Sequence, residues 1–167
     1  MRHLPNILSL LRLLSTAYVC WLILRGQYPA LLWTFFLVAA TDAFDGWAAR
    51  WLRVESKLGQ VLDPLADKVL LTGVFIAMSV AGAVPWWVTL VVLGRDAAIL
   101  LGALALWTMG RRTNFPPSIW GKVSTIFQMG YIVIVAFRGG HDLAAAAYLV
   151  VLMAVVSGAD YARRLLG

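Results

Sequence analysis

The chain is poor in the residues that build many catalytic and metal sites in soluble proteins. Its 167 residues include one cysteine and two histidines. A single cysteine, Cys20, excludes an internal disulfide and any metal site built from several cysteines. His3 and His141 fall outside the long apolar segments and have no evident catalytic partner in the neighbouring sequence. Candidate chemistry must therefore be sought among other side chains.

Charged residues are also scarce, at 13% of the chain, whereas hydrophobic residues make up 62%. Soluble domains contain ~45–50% apolar residues, and one membrane span needs ~20 of them. We therefore predict an all-α integral membrane protein of about six transmembrane helices, which form a single domain over residues 1–167. The predicted spans are residues 7–24, 30–51, 60–81, 86–108, 118–137 and 143–162, separated by breaks rich in Gly, Pro and charge.

Four aspartates lie inside this apolar sequence, at the end of one predicted span and the start of the next. Asp42 and Asp45 are three residues apart, and Asp63 and Asp67 are four apart, so each pair lies on one face of a helix. Ionisable groups inside a bilayer are costly and usually mark function. Carboxylates gathered there would repel one another without cations between them. We predict that all four are ligands of a divalent metal site at the membrane surface.

Small residues accompany both aspartate pairs. Gly46 and Ala49 follow the first pair, and Gly59 lies four residues before Asp63. Small residues let a bulky group approach the backbone closely. The alternative is that the aspartates form salt bridges at helix ends, which explains neither the small residues nor the spacing. The candidate partners for such salt bridges are Arg50, Arg53, Lys57 and Lys68.

The aspartates belong to a longer pattern, Asp42-x2-Asp45-Gly46-x2-Ala49-Arg50-x8-Gly59-x3-Asp63-x3-Asp67. This pattern resembles the signature of the CDP-alcohol phosphatidyltransferase family, and every fixed position of that signature is filled. The resemblance implies a homodimeric membrane enzyme of phospholipid biosynthesis, with a short surface helix before the first span. It also implies transfer of the phosphatidyl group of CDP-diacylglycerol to an alcohol, with release of CMP.

The same resemblance implies roles for individual residues. Asp67 would be the general base, and two divalent ions, Mg²⁺ or Mn²⁺, would be the cofactor. The expected nucleotide-binding residues are Gly46, Ala49, Arg50 and Gly59. No cysteine, serine or lysine nucleophile is required, so we expect direct displacement without a covalent enzyme intermediate.

A second candidate site concerns the acceptor alcohol. Arg95 lies in the middle of the fourth predicted span, where an arginine needs a reason, and Lys122 lies near one end of the fifth. We predict that Arg95 and Lys122 hold a phosphate of the acceptor, with Arg111 and Arg112 as further candidates. The alternatives are that Arg95 pairs with Asp96 or a cluster aspartate, and that the two loop arginines reflect topology alone.

Two acceptors compete on the family resemblance. Phosphatidylglycerol would give cardiolipin, and glycerol 3-phosphate would give phosphatidylglycerophosphate. The branch that uses glycerol 3-phosphate typically carries a further arginine on the helix of Arg95, but here an apolar stretch follows, and the next basic residue is Arg111. The pair Pro117-Ser118 also resembles the cardiolipin branch. We therefore predict phosphatidylglycerol and keep glycerol 3-phosphate as the alternative.

A different class of function is an ion transporter whose aspartates line a path across the membrane. The aspartates cluster at one face, however, and Asp142 is the only acid predicted at the other. CMP release from CDP-diacylglycerol would separate an enzyme from a transporter.

Basic residues are unevenly divided between the two sets of span ends. One set holds Arg2, Arg50, Arg53, Lys57, Arg111, Arg112, Arg163 and Arg164, and the other holds Arg25 and Arg138. Basic ends face the cytoplasm, so we predict a bacterial inner-membrane protein with its active site and both termini cytoplasmic.

The net charge of +6 suits anionic lipid head groups. No nucleic acid partner is expected, because these charges flank spans. No cleavable signal peptide is apparent, since the first apolar run carries Arg12.

Overall fold

The computed structural model describes residues 15–34, 36–37, 59–108 and 118–166, with the backbone alone at residues 59–67, 103, 106–107 and 165–166. These residues form helices joined by turns, with no strand among them. The helices are α1 (Ser15–Leu24), α2 (28–34, continuing at 36–37), α3 (Gly59–Val80), α4 (Trp86–Thr108), α5 (Ile119–Phe137) and α6 (Ala144–Leu166). The predicted all-α class is confirmed.

The last four predicted spans correspond to α3, α4, α5 and α6, with α6 running a further turn beyond its predicted end. The first two predicted spans, 7–24 and 30–51, fall largely outside the described residues. Within the described part of the chain, two helices are long and apolar enough to cross a membrane, Ile119–Phe137 and Ala144–Arg164. Two shorter apolar helices are Ser15–Leu24 and Lys68–Val80. The number of six spans therefore stays a prediction.

A tight turn separates α3 from α4. Gly82 adopts φ +75°, a left-handed conformation that glycine reaches without steric cost. The amides of Gly82 and Ala83 donate to the carbonyls of Ser79 and Met78, at 3.1 and 2.8 Å. These two bonds satisfy the last carbonyls of α3 in a Schellman arrangement. The turn makes α3 and α4 antiparallel neighbours.

The core lies where α3, α5 and the first helices meet. The rings of Phe75 on α3 and Tyr131 on α5 stack with centroids 6.2 Å apart, and both side chains are buried. Many large apolar side chains point outward instead, for example Leu90, Leu100 and Phe137. Outward apolar surface of this extent marks a membrane or an interaction surface.

The four long helices define two ends of the bundle. The turn end holds the links at 81–85 and 138–143, where α3 and α5 finish and α4 and α6 start. The aspartate end holds the starts of α3 and α5 and the last turns of α4 and α6. Because α3 begins at Gly59, Asp63 and Asp67 belong to the aspartate end.

Candidate active site

The helix that the second aspartate pair requires is present. α3 begins at Gly59 and continues through Asp63 and Asp67. Each four-residue step advances about 6 Å along a helix and returns close to the same side. The side chains of residues 59–67 are not described. The other predicted metal, nucleotide and loop residues lie outside the described residues: Asp42, Asp45, Gly46, Ala49, Arg50, Arg111 and Arg112.

The predicted metal site consequently stays a prediction. Among the residues that the structure describes, no group of three or more histidine, cysteine, aspartate or glutamate side chains could hold a metal ion. The described backbone shows only that Asp63 and Asp67 lie four residues apart on one helix, α3.

An ion pair fixes the level of α4 against the start of α3. Lys68, the residue after Asp67, places its Nζ 3.0 Å from Oδ2 of Asp96. Lys68 is half exposed, whereas the Asp96 side chain is 18% exposed. The helical turn that carries Asp67 therefore lies level with Arg95 and Asp96. The turn of α3 that carries Asp67 lies in the same region as the candidate acceptor site.

Arg95 is the most buried charged side chain of this region, at 8% exposure. Its Nη1 donates to Oδ1 of Asp96 at 2.5 Å, and its Nη2 donates to Oγ of Ser157 on α6. The centroid of the Tyr161 ring lies 5.8 Å from the guanidinium carbon of Arg95, which is within the range of a cation–π interaction. The buried Nε has no hydrogen-bond partner among the described residues.

Among the described residues, the ion pairs of Arg95 and its neighbours involve more cations than carboxylates. Lys68 and Arg95 both pair with the single carboxylate of Asp96, so two positive groups share one negative group. The pairing of Arg95 with Asp96, an alternative from the sequence, is observed, yet it leaves the second cation uncompensated by this carboxylate. A buried guanidinium whose Nε has no acceptor among the described residues suits an anionic ligand.

A second polar cluster joins the start of α5 to the end of α6. The hydroxyl of Ser118 donates to Oδ2 of Asp160, and Nε of Arg164 lies 3.0 Å from the same oxygen. Ser118 precedes α5, yet makes no side-chain cap to it. The structure thus gives Ser118 a role in tying helix ends together, which weakens its value as a sign of the acceptor.

Lys122 lies in the first turn of α5, at the same end of the bundle as Arg95, and its side chain is exposed. The preceding residue, Gly121, brings the α5 backbone close to the arginine: a Cβ there would lie 3.4 Å from Nη2 of Arg95. Arg95 and Lys122 therefore occupy one region, as predicted for an acceptor phosphate, although no contact joins them.

Two contributors to this region were missed in the sequence, Ser157 and Tyr161 on α6. The available signal was the polar stretch Ser157-Gly158-Ala159-Asp160-Tyr161, which interrupts an otherwise apolar span. Residues four apart on a helix share a face, so Ser157 and Tyr161 could have been expected to act together.

Comparison with known proteins defines the class. Residues 2–159 match the family model of the CDP-alcohol phosphatidyltransferases. The chain therefore belongs to the CDP-alcohol phosphatidyltransferase family. It is an enzyme of phospholipid biosynthesis, as the resemblance of the aspartate pattern implied.

Three individual relatives are similar to the chain over most of its length. The chain is 34% identical to a probable phosphatidylglycerophosphate synthase of Mycobacterium tuberculosis, over 98% of this chain and 82% of the relative. It is 30% identical to a CDP-diacylglycerol–glycerol-3-phosphate 3-phosphatidyltransferase of Aquifex aeolicus, over 93% of this chain and 87% of that protein. A protein of the same name from Yersinia pestis is 34% identical, over 73% of this chain and 68% of its own length.

Proposed function

We propose that the chain transfers the phosphatidyl group of CDP-diacylglycerol to glycerol 3-phosphate, which yields phosphatidylglycerophosphate and CMP. The names of the relatives favour this acceptor over the phosphatidylglycerol that the sequence pattern favoured. The observation that carries the proposal is the buried guanidinium of Arg95, whose Nε has no partner among the described residues and whose carboxylate partner is shared with Lys68.

The charge along α4 alone disfavours glycerol 3-phosphate as the acceptor. No basic residue follows Arg95 on α4, so that helix alone is poorly equipped for a small dianion. In the folded chain, a second cation reaches the region from another helix, because Lys68 on α3 pairs with Asp96. Lys122 on α5 lies at the same end. The positive charge that a phosphomonoester needs can therefore be assembled across three helices.

The proposed reaction is a direct displacement at phosphorus. A hydroxyl of glycerol 3-phosphate attacks the phosphorus that bears diacylglycerol, and a new P–O bond forms. The pyrophosphate P–O bond breaks, and CMP leaves with the bonding electrons. Asp67 takes the hydroxyl proton as general base. Arg95, with Lys122, binds the acceptor's phosphate by charge-assisted hydrogen bonds.

Two divalent cations, Mg²⁺ or Mn²⁺, are part of the proposal. Their ligands would be Asp42, Asp45, Asp63 and Asp67, whose carboxylate oxygens suit hard cations, and the helical spacing on α3 favours a shared site for the last two. Bound ions would neutralise charge on the phosphoryl group and on the departing nucleotide. The adjoining nucleotide pocket would be formed by Gly46, Ala49, Arg50 and Gly59.

The proposal also includes six membrane spans in a bacterial inner membrane, a cytoplasmic active site and a homodimer. Orientation rests on the excess of basic residues at the aspartate end. It can be tested by labelling a single cysteine at Glu55 in a Cys20→Ala background. Labelling of intact cells by an impermeant reagent would contradict a cytoplasmic position. Because the family consists of phosphatidyltransferases, we do not retain an ion transporter as the alternative function.

Product identity tests the acceptor directly. Purified protein is given CDP-diacylglycerol, Mg²⁺ or Mn²⁺, and either glycerol 3-phosphate or phosphatidylglycerol, and lipids are read by mass spectrometry. We expect phosphatidylglycerophosphate from the first mixture and no cardiolipin from the second. Cardiolipin without phosphatidylglycerophosphate would overturn the acceptor. Loss of product on chelation, with recovery on adding metal back, would support the metal requirement.

A further inference from the structure

Two of the three guanidinium nitrogens of Arg95 have hydrogen-bond partners among the described residues. An arginine carries five N–H donors, of which Asp96 and Ser157 accept one each, from Nη1 and Nη2. Nε is buried and has no partner among the described residues. The partners therefore engage the two terminal nitrogens and leave the side of the guanidinium that contains Nε without an acceptor.

Ser157 is an unusual residue for its position. Its side chain is fully buried at 0% exposure in an apolar helix, and Ala154, one turn earlier, is equally buried. A serine in a helix often bonds to the carbonyl four residues before it, but this hydroxyl accepts a bond from Arg95, 62 residues away in sequence. The contact ties α6 to α4 at the level of the candidate site.

Two glycines lie beside the Arg95 side chain. A Cβ at Gly121 would lie 3.4 Å from Nη2 of Arg95, and one at Gly158 would lie 3.7 Å from its Cγ. Tyr161, one turn after Ser157, presents its ring to the guanidinium. The α6 face that carries Ser157 and Tyr161 therefore determines where the arginine side chain ends.

We propose that Ser157 is a positioning residue for acceptor binding. By accepting a hydrogen bond from Nη2, its hydroxyl fixes the rotation of the guanidinium and keeps Nε available to a phosphate oxygen of the acceptor. Nη2 retains a second hydrogen, so that Nε and Nη2 together can form a fork for one phosphate. This inference rests on the proposed function, because it assumes that the acceptor carries a phosphate.

The test compares the two substrates in the full chain purified in detergent. Ser157→Ala should raise KM for glycerol 3-phosphate about 10- to 30-fold, the lower part of the range expected for loss of one hydrogen bond to a charged group. KM for CDP-diacylglycerol and kcat at saturating glycerol 3-phosphate should stay within about twofold. Ser157→Thr, which keeps the hydroxyl, should recover most of the lost affinity.

Ser79→Ala is the matched control. Ser79 is also buried and also makes one hydroxyl contact, at 2.6 Å to Thr89, but it lies at the turn end. Both alanine variants should lose some thermal stability, and only Ser157→Ala should lose affinity for glycerol 3-phosphate. A second readout is the rise in melting temperature on adding glycerol 3-phosphate, which should shrink in Ser157→Ala alone.

The outcomes separate this inference from the function on which it rests. If wild-type protein makes no phosphatidylglycerophosphate, the proposed function fails, and this inference fails with it. If wild type is active and Ser157→Ala keeps a normal KM for glycerol 3-phosphate, only the positioning role is overturned. An equal change in both KM values, with the same stability loss as Ser79→Ala, would also overturn it and leave Ser157 a packing residue.

Discussion

The two ends of the helix bundle treat buried polar groups in different ways. At the turn end, Ser79 contacts Thr89 at 2.6 Å, and Tyr131 donates to Asp142 at 2.6 Å. Each of these groups meets a partner nearby. At the aspartate end, Arg95 shares the carboxylate of Asp96 with Lys68 and retains a buried donor that no described residue accepts.

This difference separates groups that serve the fold from groups that serve a ligand. A buried donor left unpaired costs about 1–3 kcal/mol, and native proteins leave few such groups. A fully paired contact at the turn end stabilises the helices and needs nothing further. In the proposed reaction, a phosphate oxygen of the substrate would supply the acceptor that Nε of Arg95 lacks among the described residues.

The largest effect is expected at the aspartates of α3. Asp63→Asn should abolish turnover by weakening metal binding, and Asp67→Asn should lower the rate by ~10²–10⁴ through loss of the general base. The measurement is CMP release across a titration of Mg²⁺ or Mn²⁺, with CDP-diacylglycerol binding determined in parallel. Only Asp63→Asn should shift the metal dependence strongly.

Asp142→Asn is the control for this pair of variants. It makes the same chemical change at the turn end, and its amide oxygen can still accept the hydrogen bond from Tyr131. Turnover should remain near the wild-type value. Full activity in either α3 variant would refute the site, and an equal loss in Asp142→Asn would show that the assay reports folding.

A smaller effect is expected from Arg95→Lys, which keeps the charge and removes the planar fork. KM for glycerol 3-phosphate should rise about 10- to 100-fold, because at least one charge-assisted hydrogen bond is lost. KM for CDP-diacylglycerol should change little. Steady-state kinetics with each substrate varied in turn measures the difference.

Arg25→Lys provides the comparison from outside the site. Arg25 is exposed and lies 5.4 Å from the ring centre of Trp21, so a lysine can replace it with little cost. We expect unchanged kinetics. A normal KM for glycerol 3-phosphate in Arg95→Lys would remove the basis for placing the acceptor phosphate at this arginine.

Much of the fold follows from the sequence because its breaks have local causes. Gly82 takes a positive φ at the end of α3, and Pro85 precedes the first residue of α4. Glycine just after the last turn of a helix and proline just before the first turn are typical boundary signals. The bounds of the later helices therefore lie within a few residues of the predicted segments, and the four-residue spacing of Asp63 and Asp67 falls on a helix.

The site was less predictable because its contacts join distant helices. Arg95 was conspicuous as a charge in an apolar segment, but Ser157 is neutral, small and 62 residues away. From the sequence, Lys68 is a candidate salt-bridge partner of the aspartate cluster. In the structure, its described ion pair is with Asp96 on α4. Charges counted along one helix therefore favoured the lipid acceptor, and the packing of α3 against α4 corrects that count.

The smallest effect on turnover is expected from Tyr131→Phe at the turn end. The Tyr131 side chain is buried, and its hydroxyl donates to Asp142. Removing it should lower the free energy of unfolding by about 1.5–2 kcal/mol, the lower part of the range for a bond to a charged group, because Asp142 is partly exposed and can recover water. Tyr148→Phe removes an equivalent hydroxyl from an exposed position on α6 and should leave stability unchanged. Thermal unfolding in detergent measures both, and neither variant should alter KM for either substrate. A selective loss of affinity for glycerol 3-phosphate in Tyr131→Phe would contradict the division between the two ends, since a paired contact far from Arg95 would then influence acceptor binding.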